Sequence, residues 1–291
     1  MFEGAHTAIV TPFKDGEVDE PTLRSLIDRQ IENGIKGIVP VGTTGESPTL
    51  SNDEHRRVIE ITVEQVAGRA MVIAGTGSNS TREAIAMTQF AEKAGVDASL
   101  QISPYYNKPS QQGLFEHHQA VAESTELPLM LYSISGRTGR EISLETIIKL
   151  GQTCPNIRAA KEAEGSTERV SELVQALPEM DILSGDDSMT VPFMSVGAVG
   201  VVSVASNLIP SQMAELVAAM LKDDLTTARS IHQKYYKLFS GFLKLDTNPV
   251  PIKEALGMAG LIVPTLRRPM VSMSDDGLEV LREIMTDLEL L

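Results

Sequence analysis

The sequence predicts a (β/α)8 TIM barrel of parallel strands with a C-terminal helical extension. Three observations predict it. Short apolar, β-rich runs recur eight times, helical segments separate them, and the repeat is about 18–34 residues. Continuous apolar runs suit strands covered on both faces, as parallel sheets require. Strand–helix alternation gives a parallel sheet. Eight units over ~250 residues favour a closed barrel over a doubly wound sheet.

The runs are Ala8–Val10, Gly37–Val41, Met71–Ala74, Ala98–Ile102, Leu129–Tyr132, Ile157–Ala160, Ile182–Leu183 and Gly200–Val204. Asp19 before Pro21 starts the first helix and Gly34 follows its last turn, a Pro-first, Gly-last pattern. Ser51–Glu54 and Ser80–Glu83 both read as capping boxes. Beyond Leu225 the rhythm stops, and helices are expected at Thr226–Leu243, Pro251–Ala259 and Gly277–Leu288. The expected division is a catalytic barrel over residues 1–224 and a helical extension over 225–291.

The chain has 291 residues and a net charge of −14. Its 42% hydrophobic and 22% charged residues are ordinary for a packed globular protein and argue against a mainly disordered state. The acidity argues against nucleic acid or an anionic membrane as the main partner. A single cysteine, Cys154, excludes a disulfide framework and a cysteine-cluster metal site, and fits a reducing compartment. The N-terminus lacks a signal-peptide pattern. The uncharged stretch between Asp187 and Glu215 is cut by Pro192, Gly197, Gly200 and Pro210, so it reads as strand, loop and helix start, not as a membrane span.

Barrel chemistry gathers at the C-terminal ends of strands, so those positions are the candidates. Strand two runs into Gly42-Thr43-Thr44-Gly45-Glu46-Ser47, a turn able to aim N–H groups and hydroxyls at an anion. Strand six runs into Lys161. Desolvation lowers an amine's pKa, and a neutral amine attacks a ketone to form a Schiff base. A solvated strand-end lysine is the alternative. Strand five ends at Tyr132, a proton-relay candidate or a core aromatic, and Arg137 on the following loop can grip a carboxylate or sit on the surface. Gly75-Thr76-Gly77 lacks the third glycine of a dinucleotide fingerprint. Asp186 and Asp187 read as a helix N-terminus, and His55, His117 and His118 as surface residues. Tyr105-Tyr106 is open between an interface plug, a core pair and a site element.

Together the motifs Gly42-Thr43-Thr44-Gly45-Glu46, Pro104-Tyr105-Tyr106-Asn107, Tyr132 with Arg137-Thr138-Gly139, Lys161-Glu162 and Ser184-Gly185-Asp186-Asp187 fall in order on successive strand ends. The chain resembles the dihydrodipicolinate synthase family, in the superfamily that also holds N-acetylneuraminate lyase. The resemblance runs from Ala8-Ile9-Val10-Thr11-Pro12 to Asn248-Pro249-Val250-Pro251-Ile252-Lys253. It implies a cytoplasmic lyase of lysine and diaminopimelate biosynthesis, a homotetramer (dimer of dimers) needing neither metal nor cofactor. Lys161 would form an imine with pyruvate, and the derived enamine would attack L-aspartate 4-semialdehyde. Tyr132, Thr43 and Tyr106 would relay protons, Tyr106 reaching in from a neighbouring subunit. Thr43 and Thr44 would hold the pyruvate carboxylate, Arg137 the semialdehyde carboxylate, and Gly185 and Val202 would line the pocket; with both substrates anionic, the site is expected to offer N–H groups and an Arg and no unavoidable acid nearby. Two alternatives stay open: another pyruvate-dependent aldolase of the 2-keto-3-deoxy sugar acid type, and a keto-acid-binding barrel without turnover.

One departure stands out. The family usually has Asn and, two residues on, Pro after the strand-five Tyr, where this chain has Ser133 and Ser135. Without Pro the loop carrying Arg137 loses a φ restriction. Many members are also inhibited by lysine at a subunit interface. The matching positions are Ser47, Pro48, Asn52, His55, Asn79, Glu83 and Tyr105.

Overall fold

A computed structural model describes residues 1–291. Eight parallel strands close a barrel in sequence order: β1 (Gly4–Ala8), β2 (Gly37–Val39), β3 (Met71–Gly75), β4 (Ala98–Ile102), β5 (Leu129–Ser133), β6 (Ile157–Glu162), β7 (Asp181–Ser184) and β8 (Gly200–Ser203). The barrel helices are α1 (Glu20–Glu32), α2 (Asn52–Val66), α3 (Thr81–Ala94), α4 (Gln111–Ala122), α5 (Leu144–Thr153), α6 (Thr167–Ala176), the short α7 (Thr190–Met194) and α8 (Pro210–Leu221). Strand alternation divides the core in two. Ala8, Val39, Ile73, Leu100, Met130, Tyr132, Leu183 and Val202 point into the barrel, with Phe2 at its floor. A larger apolar layer fills the space between strands and helices.

Several expectations are corrected. The first strand lies at Gly4–Ala8, ahead of the apolar run Ala8–Val10. Its polar residues conceal it, yet they are buried and paired: Thr7 Oγ1 donates to Gln30 Oε1 (2.7 Å), and His6 Nε2 lies 2.8 Å from Phe2 O. Strand two stops at Val39, because Val41 is turned to φ +50°. A small hairpin, Phe13–Lys14 with Glu17–Val18, carried no sequence signal. The Ser51–Glu54 capping box forms. The Ser80–Glu83 box does not, since Glu83 accepts from Ser78 Oγ instead (2.6 Å). His117 and His118 are buried between helices, and burial lowers their pKa to about 4 and about 3. His55 is half-buried against Gly75 O (2.8 Å).

The C-terminal segment forms α9 (Leu225–Lys244), α10 (Val250–Met258) and α11 (Asp275–Asp287). It packs onto the mouth of the barrel and shares its outer apolar layer. Charge fastens it there. Fully buried Lys253 pairs with Glu46 and donates to Thr265 O (2.8 Å). Glu46 also accepts from Arg267 N (3.1 Å), and the Arg267 guanidinium forks onto both oxygens of Glu54 (2.5 and 2.8 Å). No helix is long and apolar enough to cross a membrane.

Candidate active site

Parallel register sets Tyr132 of β5 opposite Lys161 of β6. Lys161 points inward, while its neighbour Glu162 points outward to Arg169 Nε (2.8 Å). The Lys161 Nζ lies 4.2 Å from the Tyr132 ring centroid. Lys161 is only 6% exposed, and burial brings its pKa down to about 7, partly opposed by the charge of Asp187. At neutral pH a large fraction is therefore the free amine, the nucleophilic form. Burial pushes the Tyr132 phenol up to about 12, with partial relief from Arg137 and the Thr43 hydroxyl. Tyr132 thus stays protonated at neutral pH and can both donate and accept.

A cavity of about 270 Å³ opens above these two residues. Thr43, Thr44, Tyr132, Arg137, Lys161 and Gly185 all line it, with Tyr105 and Asn248. The Thr43–Thr44 turn is bracketed by positive-φ residues, Val41 (+50°) and Glu46 (+54°). For branched Val41 this is strained backbone, a kind concentrated at functional sites. Thr44 Oγ1 accepts from Asn248 Nδ2 (3.0 Å), leaving its own proton free for an incoming carboxylate. Arg137 Nη2 donates to Asn248 O (2.9 Å). Asn248 therefore ties the Thr44 turn to Arg137. At Gly185 a Cβ would stand 3.1 Å from Lys161 Cε, so glycine clears the lysine's path.

Other expected residues lie elsewhere. Val202 is buried in the barrel beneath the cavity, and Val204 lines it instead. Tyr106 is 90% exposed and lines neither this cavity nor the neighbouring one. It sits at the centre of a turn closed by Asn107 N to Tyr105 O (2.9 Å), at φ +73°. Asn79 clamps that turn, donating to Tyr105 O (3.1 Å) and accepting from Asn107 Nδ2 (2.8 Å). A γ-turn of this sign is rare and strained, and it throws the phenol away from the chain's own barrel.

The expectation of no acid near the site is corrected: Asp187 lies close enough for its charge to act on Lys161. Asp187 is buried, and burial raises its pKa to about 6. Its Oδ2 accepts from Val204 N (3.1 Å) and Ala205 N (2.8 Å), holding the loop after β8. Asp186 does take the helix-start role, accepting from Ser188 N (2.8 Å).

A second cavity of about 190 Å³ adjoins the first. Ser47, Pro48, Asn52, His55, Glu83 and Tyr105 line it, and Ser47, Pro48, Gly77 and Tyr105 belong to both walls.

The model of the dihydrodipicolinate synthetase family matches residues 1–288. The 4-hydroxy-tetrahydrodipicolinate synthase of Persephonella marina is 47% identical, with 100% of each chain covered. A crystal structure of the dihydrodipicolinate synthase of Acinetobacter baumannii complexed with pyruvate is 41% identical, with a TM-score of 0.97 and 100% of each chain covered. The lysine-bound enzyme of Cyanidioschyzon merolae is 42% identical, with a TM-score of 0.96, covering 100% of this chain and 99% of that one.

Proposed function

The chain belongs to the dihydrodipicolinate synthetase family, and on that premise we propose that Lys161 is the amine at which it runs the 4-hydroxy-tetrahydrodipicolinate synthase reaction. This lyase joins pyruvate to L-aspartate 4-semialdehyde in lysine and diaminopimelate biosynthesis. The observation that carries the assignment is a buried amine with its pKa lowered to about 7, facing a phenol, at the floor of a cavity lined by Thr43, Thr44 and Arg137.

The neutral Lys161 amine attacks the pyruvate ketone carbon. Loss of water gives an imine, and loss of a methyl proton gives an enamine. The enamine carbon attacks the semialdehyde's aldehyde carbon, forming the new C–C bond. The semialdehyde's amino group then attacks the imine carbon, closes the ring and releases Lys161. Tyr132 and Thr43 pass the protons, because each can donate while accepting. Thr43 and Thr44 hold the pyruvate carboxylate, and Arg137 holds that of the semialdehyde by a charge-assisted pair. These groups supply the chemistry without a metal or organic cofactor, and a cytoplasmic setting goes with the biosynthetic role.

The test is borohydride trapping on pyruvate, read by mass spectrometry, across pH. Below pH about 7 the amine is protonated and non-nucleophilic. The trapping rate is therefore expected to rise as pH increases through 7 and then level off. No adduct on Lys161 would end the assignment. An adduct without turnover of the semialdehyde would point to another aldolase or to a binding barrel.

Tyr106 completes the relay from a neighbouring subunit in this reading, within a homotetramer built as a dimer of dimers. Its outward turn and 90% exposure support that role. Sedimentation velocity is expected to give four times the monomer mass, and a monomer with full activity would exclude it.

The second cavity is read as a lysine-binding inhibitory site. Glu83 offers a carboxylate to the ligand's amino groups, and Asn79 acts there by clamping the Tyr105–Asn107 turn. A charge-assisted bond is worth about 1.5–3 kcal/mol, so Glu83→Ala is expected to weaken lysine binding by roughly tenfold or more in calorimetry. No heat from the wild-type chain at millimolar lysine would refute the site.

A further inference from the structure

Ser133 and Ser135, which replace the usual Asn and Pro, converge on one acid. Glu164 Oε1 accepts from Ser133 Oγ (2.7 Å) and from Ser135 N (2.8 Å), and Oε2 accepts from Ser135 Oγ (2.5 Å). Ser133 Oγ in turn accepts from Ile142 N (3.2 Å). Glu164 is itself held, since its N–H donates to Glu162 Oε1 (3.0 Å) while Arg169 Nε grips Glu162 Oε2 (2.8 Å). The loop after the lysine strand is thus clasped to the loop after the tyrosine strand.

We infer that Glu164 is a positioning residue for the second substrate: its clasp on Ser133 and Ser135 fixes the loop that presents Arg137 to the semialdehyde carboxylate. Glu164 lines neither cavity, so it acts through Arg137. Only Gly136 separates Ser135 from Arg137, within one short helix, Ser135–Thr138. A four-residue helix has little stability of its own, and three hydrogen bonds to one carboxylate set where it begins. Ser135 is the first helical residue, where proline fits best: φ is preset near −65° and the lost N–H has no helical partner. Ile134 before it is non-helical, at φ −154° and ψ 79°, clear of the α region that a following proline disfavours. The clasp and a proline are therefore two solutions to one problem, restricting the backbone at residue 135.

This rests on the roles given above to Lys161 and Arg137, and the test separates the two levels. Full-length wild type, Glu164→Ala, Glu164→Gln and Ser135→Pro with Glu164→Ala are compared in a coupled reductase assay and by pyruvate trapping. Glu164→Ala is expected to raise the semialdehyde KM about tenfold, with kcat within about threefold and trapping on Lys161 unchanged. Glu164→Gln keeps an acceptor oxygen and recovers most of the loss. The double variant replaces the clasp by a ring and returns KM to within about threefold of wild type. Should Glu164→Ala fail to fold, Ser135→Ala removes one strand of the clasp and raises the same KM about threefold. An unchanged semialdehyde KM in a folded Glu164→Ala protein overturns the inference, as does a double variant no better than the single one. A wild-type protein with no adduct would instead remove the underlying reading.

Discussion

Lys161→Ala is expected to abolish the trapped pyruvate adduct and to lower kcat by about 10⁴-fold or more. No other residue of the site can take over. Tyr132 is held as the neutral phenol by burial, and the other buried amine, Lys253, is committed to Glu46. The fold has little stake in Lys161. Its amine is in no ion pair, and burial disfavours its charge. The melting temperature is therefore expected to hold while activity vanishes. Borohydride mass spectrometry beside a thermal melt separates this from unfolding. An adduct persisting on a different lysine would move the reaction centre.

The second large effect is on stability. Lys253→Met leaves the Glu46 carboxylate buried without its partner. Removing one member of a buried pair costs about 3–5 kcal/mol. At the few degrees per kcal/mol typical of domains this large, the melting temperature should fall by roughly 10 °C. Adding Glu46→Gln should return much of it, because the stranded charge is then gone. Denaturant titration of both variants checks the order. Equal losses in the single and double variants would mean that the pair is incidental. Glu46 ends the turn that carries Thr43 and Thr44, so the single variant should also bind pyruvate less well.

The barrel was largely legible because buried parallel strands leave continuous apolar runs. It failed to show where polarity was internally satisfied. β1 was displaced by His6 and Thr7, which find partners inside, and the Phe13–Val18 hairpin is too short to leave a period. Lys161, Tyr132, Thr43, Thr44 and Arg137 were legible as candidates, since each follows an apolar run at the end where barrel chemistry gathers. Their roles came from a resemblance in motif order. Asn248, Asp187 and Glu164 were not legible as site-builders. Their partners sit on other strand ends or helices, 204 positions away for Asn248 and Thr44, 31 for Glu164 and Ser133, and 17 for Asp187 and Val204, and only tertiary packing joins them. Tyr106 was named from the family pattern, and its own chain gives it no partner in the cavity.

The two cavities share a wall of Ser47, Pro48, Gly77 and Tyr105, which has a thermodynamic consequence. A wall in common cannot be re-shaped for one occupant without altering the other's fit. Linkage makes that influence symmetric. If an occupant of the outer cavity weakens pyruvate's hold by some factor, pyruvate must loosen that occupant by the same factor. Inhibition at this wall would then carry a built-in release, with rising pyruvate driving the inhibitor out of a pocket that it never enters.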